Sequence, residues 1–249
     1  MHLQRLAVLA FGATIAGAGC GVPTRWLSSA PGAPEEFFPL RTGSFWVYRV
    51  RDPWGEESLQ RVLVRGPRYL ENKRTTGMLV EESGGLGGEF ALDPSWHPIA
   101  YYRDGDYVYK YYGLTRTDAE LREMRLGSTD EKLLPAMPRE DEEWESDVQL
   151  FDLPHGAGYG MRVVSRATST EESVTVPAGK FEGCLLVDTT IVPRTHTAKA
   201  DDEALSFFHY RDWYAPGVGL VKSLAISGPQ STPMTTIELI SFRDGAGSR

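Results

Sequence analysis

Two cysteines, five histidines and 34 carboxylates are the groups from which this 249-residue chain could build chemistry. His97, His155, His196 and His209 are scattered, with no H-E-x-x-H and no i, i+4 pair, so no metal site is predicted. The acidic runs Glu140-Asp141-Glu142-Glu143 and Asp201-Asp202-Glu203 lack the alternating oxygen ligands, turn glycine and terminal glutamate of a calcium loop. They read as solvated loops. No serine stands in a G-x-S-x-G elbow, and Cys184 opens the apolar stretch CLLVD, the setting of an inert buried thiol. GGLGGEF, 84–90, lacks the Lys-Ser/Thr of a phosphate loop and reads as a turn. No catalytic residue and no cofactor are therefore expected, and the chain is read as not an enzyme. The competing class is an envelope hydrolase acting on glycan or ester through His209 and scattered acids.

Cys20 is different, because its surroundings give it a specific role. Arg5 and the α-amino group are positive, Leu6 to Ile15 are apolar, and Ala16 to Gly19 are small, the order of a secretory signal. A bilayer helix needs about 20 apolar residues, and this run reaches Gly21 only through Gly12, Gly17, Gly19 and Gly21. Small residues immediately before a cysteine resemble the bacterial lipobox, with Gly17 where that motif favours Leu. The expectation is cleavage after residue 19 and lipid attachment at Cys20, several acyl chains being ample for stable anchoring. The competing reading is cleavage at Ala16-Gly17-Ala18, which leaves a soluble chain starting at Gly19.

The elements that would carry such a domain begin after a tether. Residues 21–36, GVPTRWLSSAPGAPEE, are rich in Pro, Ser and Gly. A flexible segment of this length has a reach of about 22 Å. From 37 to 243 the pattern is β, and 244–249 read as a disordered tail. FWVYRVR (45–51), SLQRVLVRG (58–66), GMRVVSRATS (160–169), EESVTVPAG (171–179), CLLVDTTIV (184–192), LSFFHYRDWYA (205–215), GLVKSLAIS (219–227) and TTIELISF (235–242) read as strands. In IAYYRDGDYVYKYYG (99–113), Asp104-Gly105 predicts a type I′ hairpin turn. Thr117 and Glu120 form a capping-box pattern for one short helix over DAELREMRL. The predicted fold is mostly β, a curved antiparallel sheet or half-barrel with one short helix. The acidic segment 127–147 marks where two similar halves would meet, since FFPLRTGSFWVYRV and LLPAMPREDEEWESDV share an apolar pair, a proline and a following tryptophan.

Charge and aromatic content bound the partners. The net charge of −8 argues against nucleic acid, which needs clustered Lys and Arg. Aromatic residues make 11% of the chain and concentrate in two segments. Tyr107, Tyr109 and Tyr111 share one face by period two, and Phe208, Tyr210, Asp212 and Tyr214 share another. On a curved sheet such faces line an apolar cavity or form a solid core. The five residues Tyr107, Tyr109, Tyr111, Phe208 and Tyr210 are the candidate binding residues for a hydrophobic ligand or an envelope protein segment.

Three stretches carry a family resemblance: FPLRTGSFWVYR (38–49), VTVPAGKFEGCLLV (174–187) and WYAPGVGLVK (213–222), followed by ELISF (238–242). Their P-L-x-x-G-x-x-W-x-Y, V-P-A-G-x-F and Y-A-P-G-V-G-L-V-K patterns resemble those of uncharacterised bacterial envelope lipoproteins. That family is similar to half-barrels of the lipoprotein-localisation-factor type, and the resemblance implies a lipid-anchored binding or scaffolding module. It implies an envelope location, with Gly21 after Cys20 resembling the outer-membrane signal, and the domain facing the periplasm. It carries no catalytic residues. Pro177-Ala178-Gly179-Lys180 and Ala215-Pro216-Gly217-Val218-Gly219 also read as fold-specifying turns, the first between strands ending at Val176 and starting near Cys184.

Overall fold

The computed structural model describes residues 37–84, 97–111, 130–151, 158–194, 208–227 and 232–245. Cys20, the tether and the expected helix at 117–126 lie outside them. The described residues are almost entirely β, with a single 3₁₀ turn, Glu71–Lys73. The strands are β1 (Phe45–Arg51), β2 (Glu57–Leu70), β3 (Thr75–Gly84), β4 (His97–Asp104), β5 (Tyr107–Tyr111) and β6 (Asp130–Pro135). They continue as β7 (Glu143–Phe151), β8 (Gly158–Val176), β9 (Gly179–Arg194), β10 (Phe208–Ala215), β11 (Gly219–Ser227) and β12 (Thr232–Arg243). All belong to one antiparallel sheet in the order β6-β5-β4-β3-β2-β1-β12-β11-β10-β9-β8-β7.

Each strand thus lies beside its neighbour in sequence, and the first pairs with the last. Two six-strand meanders are zipped together at β1 and β12, where Tyr48 lies opposite Leu239. The free edges, β6 and β7, meet where the meanders join in mid-chain. There the backbone of Lys132 is satisfied by β7 side chains. Its N–H donates to Ser146 Oγ at 2.8 Å, and its carbonyl accepts from Trp144 Nε1 at 3.0 Å. The sheet is therefore nearly a barrel, curled further than a half-barrel, and side chains cover the edges that would otherwise template aggregation.

Strand direction sorts the connections into two ends. At one end lie the residues before β1 and the turns β2–β3, β4–β5, β6–β7, β8–β9 and β10–β11, all short. This is the closed end. Leu40, Trp46, Tyr48, Val64, Met78, Val80, Tyr101, Val174, Cys184, Val221 and Leu239 form one buried cluster there, with Phe38 against it. Such a cluster draws on strands from both meanders, which is possible only because the sheet curls over itself. A second cluster, with Trp144, Leu185 and Tyr214 at its centre, continues it toward the seam.

Period-two alternation puts charge on the opposite face. Arg49–Glu238 at 2.7 Å, Arg51–Glu57 at 2.6 Å, Arg162–Glu145 at 2.6 Å and Arg211–Asp188 at 2.9 Å are cross-strand pairs. An exterior built this way faces water, whereas a membrane barrel presents an apolar band. No helix among the described residues is long and apolar enough to cross a membrane.

Several local expectations change. GMRVVSRATS and EESVTVPAG are one strand, β8, bent by irregular pairing between Ala167 and Val174. The bend hides its continuity from a periodicity reading. β9 resumes directly at Gly179 rather than near Cys184, because Gly183, at φ 65°, is absorbed where the register shifts. The β4–β5 loop is Gly105-Asp106, with Asp104 opposite Tyr107. Only Gly105 has positive φ, the pattern of a II′ turn. Strands β3, β6 and β7 were not expected from sequence. Asp244, read as tail, pairs with Arg41, and the Gly245 N–H donates to Ser44 Oγ at 3.0 Å.

The quoted motifs converge at the closed end. Trp46 donates its indole N–H to Val218 O at 2.7 Å, and the Tyr48 hydroxyl donates to Leu220 O at 3.0 Å. Those carbonyls belong to the turn segment APGVGL, in which Gly217 and Gly219 take φ of 69° and 96°. The β8–β9 hairpin is carried across the same end, where the Ala178 N–H donates to Leu239 O at 3.0 Å. Phe242 stacks on Trp46 with centroids 5.2 Å apart. Replacing Trp46 with Phe orphans the Val218 carbonyl and leaves a void, and is expected to cost about 2–3 kcal/mol in chemical denaturation. Trp54→Phe, at a turn tip where the residue is 83% exposed, is expected to change stability by less than about 0.5 kcal/mol.

Candidate functional site

Toward the far end of the barrel the inward face changes character. On β10, Phe208, Tyr210 and Asp212 alternate with His209 and Arg211, which are exposed. Asp212 lies opposite Val187 on one side and Ser223 on the other, and Tyr210 opposite Thr189 and Ala225. Period two gives Lys110 of β5 the face of Tyr101, and its partner Glu131 on β6 follows it. Phe208, Tyr210, Asp212, Thr189, Lys110 and Glu131 are all only half-buried, although they point inward. The matching positions at the closed end, Trp46, Leu185, Tyr214 and Val221, are buried. The change is local to these strands, since Val50 of β1, Val148 of β7 and Val163 and Ser165 of β8, also on the inward face, are buried.

Twelve strands enclose more than inward side chains alone fill, since about eight suffice for a packed or single-ligand interior. At the closed end the surplus is filled by Phe38 and by Val174, Val176 and Phe181 of the crossing hairpin. No described segment does this at the level of Asp212.

The electrostatics of this region centre on Asp212. Burial pushes its carboxyl up to about 6; a hydrogen bond from Ser223 opposes the rise, Glu131 adds to it, and Lys110 counters. Its Oδ1 is buried with no hydrogen-bond partner, so Ser223 serves the other oxygen. Burial raises the Tyr210 phenol, and Asp212 and Glu131 raise it further. Tyr214, deeper in, is raised by burial and then by the same Asp212 carboxylate, so the carboxylate faces the aromatic layer.

The five candidate aromatic residues do not come together. Phe208 and Tyr210 line the interior. Tyr107, Tyr109 and Tyr111 lie on the β5 face opposite Lys110, where Tyr109 stacks on Tyr102 at 5.1 Å and Tyr111 is buried with Leu70 and Ala100. Lys132 sits 5.0 Å over the Tyr107 ring, and Lys73, paired with Asp130, sits 5.9 Å over Tyr111. Tyr109 and Tyr111 thus belong to a packed layer of the opposite face, whereas Tyr107 also packs against the cluster of Trp144, Leu185 and Tyr214. Lys110, Glu131 and Ser223, which act on the Asp212 carboxyl, were not among the sequence candidates. Alternation in YVYKY does place Lys110 opposite the tyrosines, but Glu131 lies in a strand that carries no such signal.

Cys184 is a free thiol buried in the core, its ionisation suppressed by burial. His209 faces out, with Thr190 Oγ1 3.0 Å from its Nδ1. It shares no face with Asp212 or Tyr210. Among the described residues no group of three or more His, Cys, Asp or Glu is arranged to hold a metal ion.

With this geometry in view, the relationships of the chain are intelligible. The DUF3108-like family model matches residues 148–226, from late β7 through β11. That segment is similar to the DUF3108-like family. No curated protein matches. Among solved structures, a putative lipoprotein from Parabacteroides distasonis ATCC 8503 superposes with a TM-score of 0.53 at 19% identity, covering 84% of this chain and 99% of that one. A putative exported protein with a YmcC-like fold from Bacteroides fragilis NCTC 9343 gives 0.48 at 13% identity, covering 84% and 100%. The Parabacteroides likeness is one of fold, and it spans the whole of that protein.

Asp212 also sets a pH dependence. An acid whose folded pKa is raised favours its neutral form, so the fold loses stability as pH rises from about 4 through 6. Asp212→Asn removes the charge at all pH values. It is expected to raise Tm at pH 7.5 by several degrees, about 1–3 kcal/mol, with the gain vanishing near pH 4 in calorimetric scans. An equal effect at both pH values would show that the buried charge is not its source.

Proposed function

We propose that the protein is a lipid-anchored module of the bacterial envelope that holds a hydrophobic ligand or partner segment in the far half of its barrel, without catalysing a reaction. The observation that carries this reading is a half-buried stretch of the inward face, where Phe208, Tyr210 and Asp212 of β10 and Thr189 of β9 are less covered than Trp46, Leu185 and Tyr214 at the closed end. Pockets of this type, mostly aromatic or apolar with a few convergent polar groups, hold small molecules.

The anchor belongs at the closed end. Residues 37–44 enter the fold there, so a tether running back to an acylated Cys20 leaves the chamber facing away from the membrane. The signal-like N-terminus, the acidic charge and the envelope-lipoprotein motifs support an envelope setting, with the domain in the periplasm on the outer membrane. The hydrolase reading finds less support, because its proposed base, His209, lies on the exterior apart from the interior carboxylates.

Two measurements test the reading. The intact mass of membrane-extracted protein is expected to correspond to a chain starting at Cys20 with added acyl groups; an unmodified chain starting at Gly19 contradicts the anchor. Titration with a neutral, environment-sensitive dye is expected to saturate at one site per chain and to fail in Tyr210→Arg. The exterior variant Leu59→Arg is expected to bind as the parent does. Equal binding by both variants contradicts the chamber.

A further inference from the structure

The β1–β2 turn, at the far end of the barrel, carries a side chain that neither the fold nor the chamber uses. Trp54 is 83% exposed, the most exposed large apolar residue among the described residues. The backbone beneath it is firmly held. Asp52 Oδ1 accepts the Trp54 N–H at 2.9 Å and the Glu56 N–H at 2.8 Å. The Asp52 N–H donates to Glu56 O at 3.0 Å and the Gly55 N–H to Asp52 O at 3.1 Å, with Gly55 at φ 85°. Pro53 fixes its own φ between them. These bonds use only the backbone of residue 54, so the turn does not need the indole. A single exposed apolar side chain is ordinary, but one displayed on so fixed a turn gives up little freedom when a partner covers it. Tryptophan placed in this way suits the anchor of an interface.

The surroundings of the indole decide what fits over it. Just below the tip, Arg51 and Glu57 close the hairpin as an ion pair, with two guanidinium nitrogens on Glu57 Oε1 at 2.6 and 3.1 Å. Asp52 and the exposed Glu56 then leave the tip negative. Leu59, 44% exposed, follows Glu57 on the same outer face and extends the apolar surface. Two copies meeting tip to tip would oppose these carboxylates, and an anionic lipid surface would meet them as like charges. The turn also stands at the end opposite the one where residues 37–44 enter the fold. A basic protein surface meets none of these objections: a Lys or Arg can lie over the indole face and beside Glu56 at once, and the net charge of −8 draws it in. We propose that the β1–β2 turn is the docking point for a second protein, whose basic surface takes Trp54 into an apolar recess and sets Lys or Arg against Glu56.

Photocrosslinking in the native cell tests this, with the full chain carrying benzoylphenylalanine in place of Trp54 or, as controls, of Tyr69 or Met137, which are exposed near turns of the closed end. Position 54 is expected to give a discrete adduct with another protein, and the controls none. The crosslinked peptide, sequenced by mass spectrometry, is expected to carry an excess of Lys and Arg. Glu56→Lys is expected to lower the adduct yield at least tenfold, whereas Glu71→Lys, at the exposed β2–β3 turn, leaves it unchanged. Glu56 enters the hydrogen bonds of its turn through its backbone, so Glu56→Lys is expected to melt with the parent, and a lost adduct is then not a lost fold. No adduct at position 54, an adduct with lipid or a second copy, a contact peptide without basic excess, equal yields at the control positions, or a yield that survives Glu56→Lys overturns the proposal.

Discussion

The ladder between the first strand and the last is the contact on which the rest of the molecule depends. β1 pairs with β12 along its full length, and without that pairing the chain would be two six-strand meanders, each with two open edges. Once the pairing forms, only one pair of edges is left, and two hydrogen bonds, one accepted by Ser146 and one donated by Trp144, cover it locally. The pairing joins residues about 190 positions apart, a costly loop to close. The protein secures it from several directions: the Arg49–Glu238 pair outside, the Trp46–Phe242 stack inside, and the Arg41–Asp244 and Ser44–Gly245 contacts beyond the strand ends.

From this closure follows a division of labour between the two ends. The quoted motifs all serve the closed end, where indole, phenol and turn carbonyls lock together and a hairpin crosses to fill the remaining width. An end built so tightly can carry an orphaned carboxylate higher in the barrel. The upward pull of burial on the Asp212 carboxyl is a cost of the kind that binding sites commonly impose on a scaffold. The two meanders also open alike: Trp46 and Trp144 are each the second residue of the first strand, buried, with the indole N–H on a backbone carbonyl.

The β class, most strands and the turn roles of the motifs were legible because alternation in segments such as FWVYRVR and turn signals such as APGVG are local. Strands β3, β6 and β7 were not. TTGMLVEESG and EWESDVQLF carry polar residues at inward positions, Glu82 and Ser146 among them, which blur the period-two signal. The candidate site was half legible for the same reason. Alternation in FFHYRDWY put Phe208, Tyr210 and Asp212 on one side, but no local pattern says which side of a sheet becomes the inside. Tyr109 and Tyr111 of β5 followed the same rule and fell on the opposite face.

The central claim is that the interior of the barrel is sealed at the tethered end and receives a ligand at the other. Paramagnetic relaxation from a nitroxide-labelled amphiphile, read at the backbone amides, tests it most directly. Strong broadening confined to the far halves of β9 and β10, around Thr189 and Phe208–Asp212, with the amides of Trp46 and Val218 untouched, is the predicted result. Broadening spread over the exterior strands, or centred on the β5 tyrosine face, would contradict it.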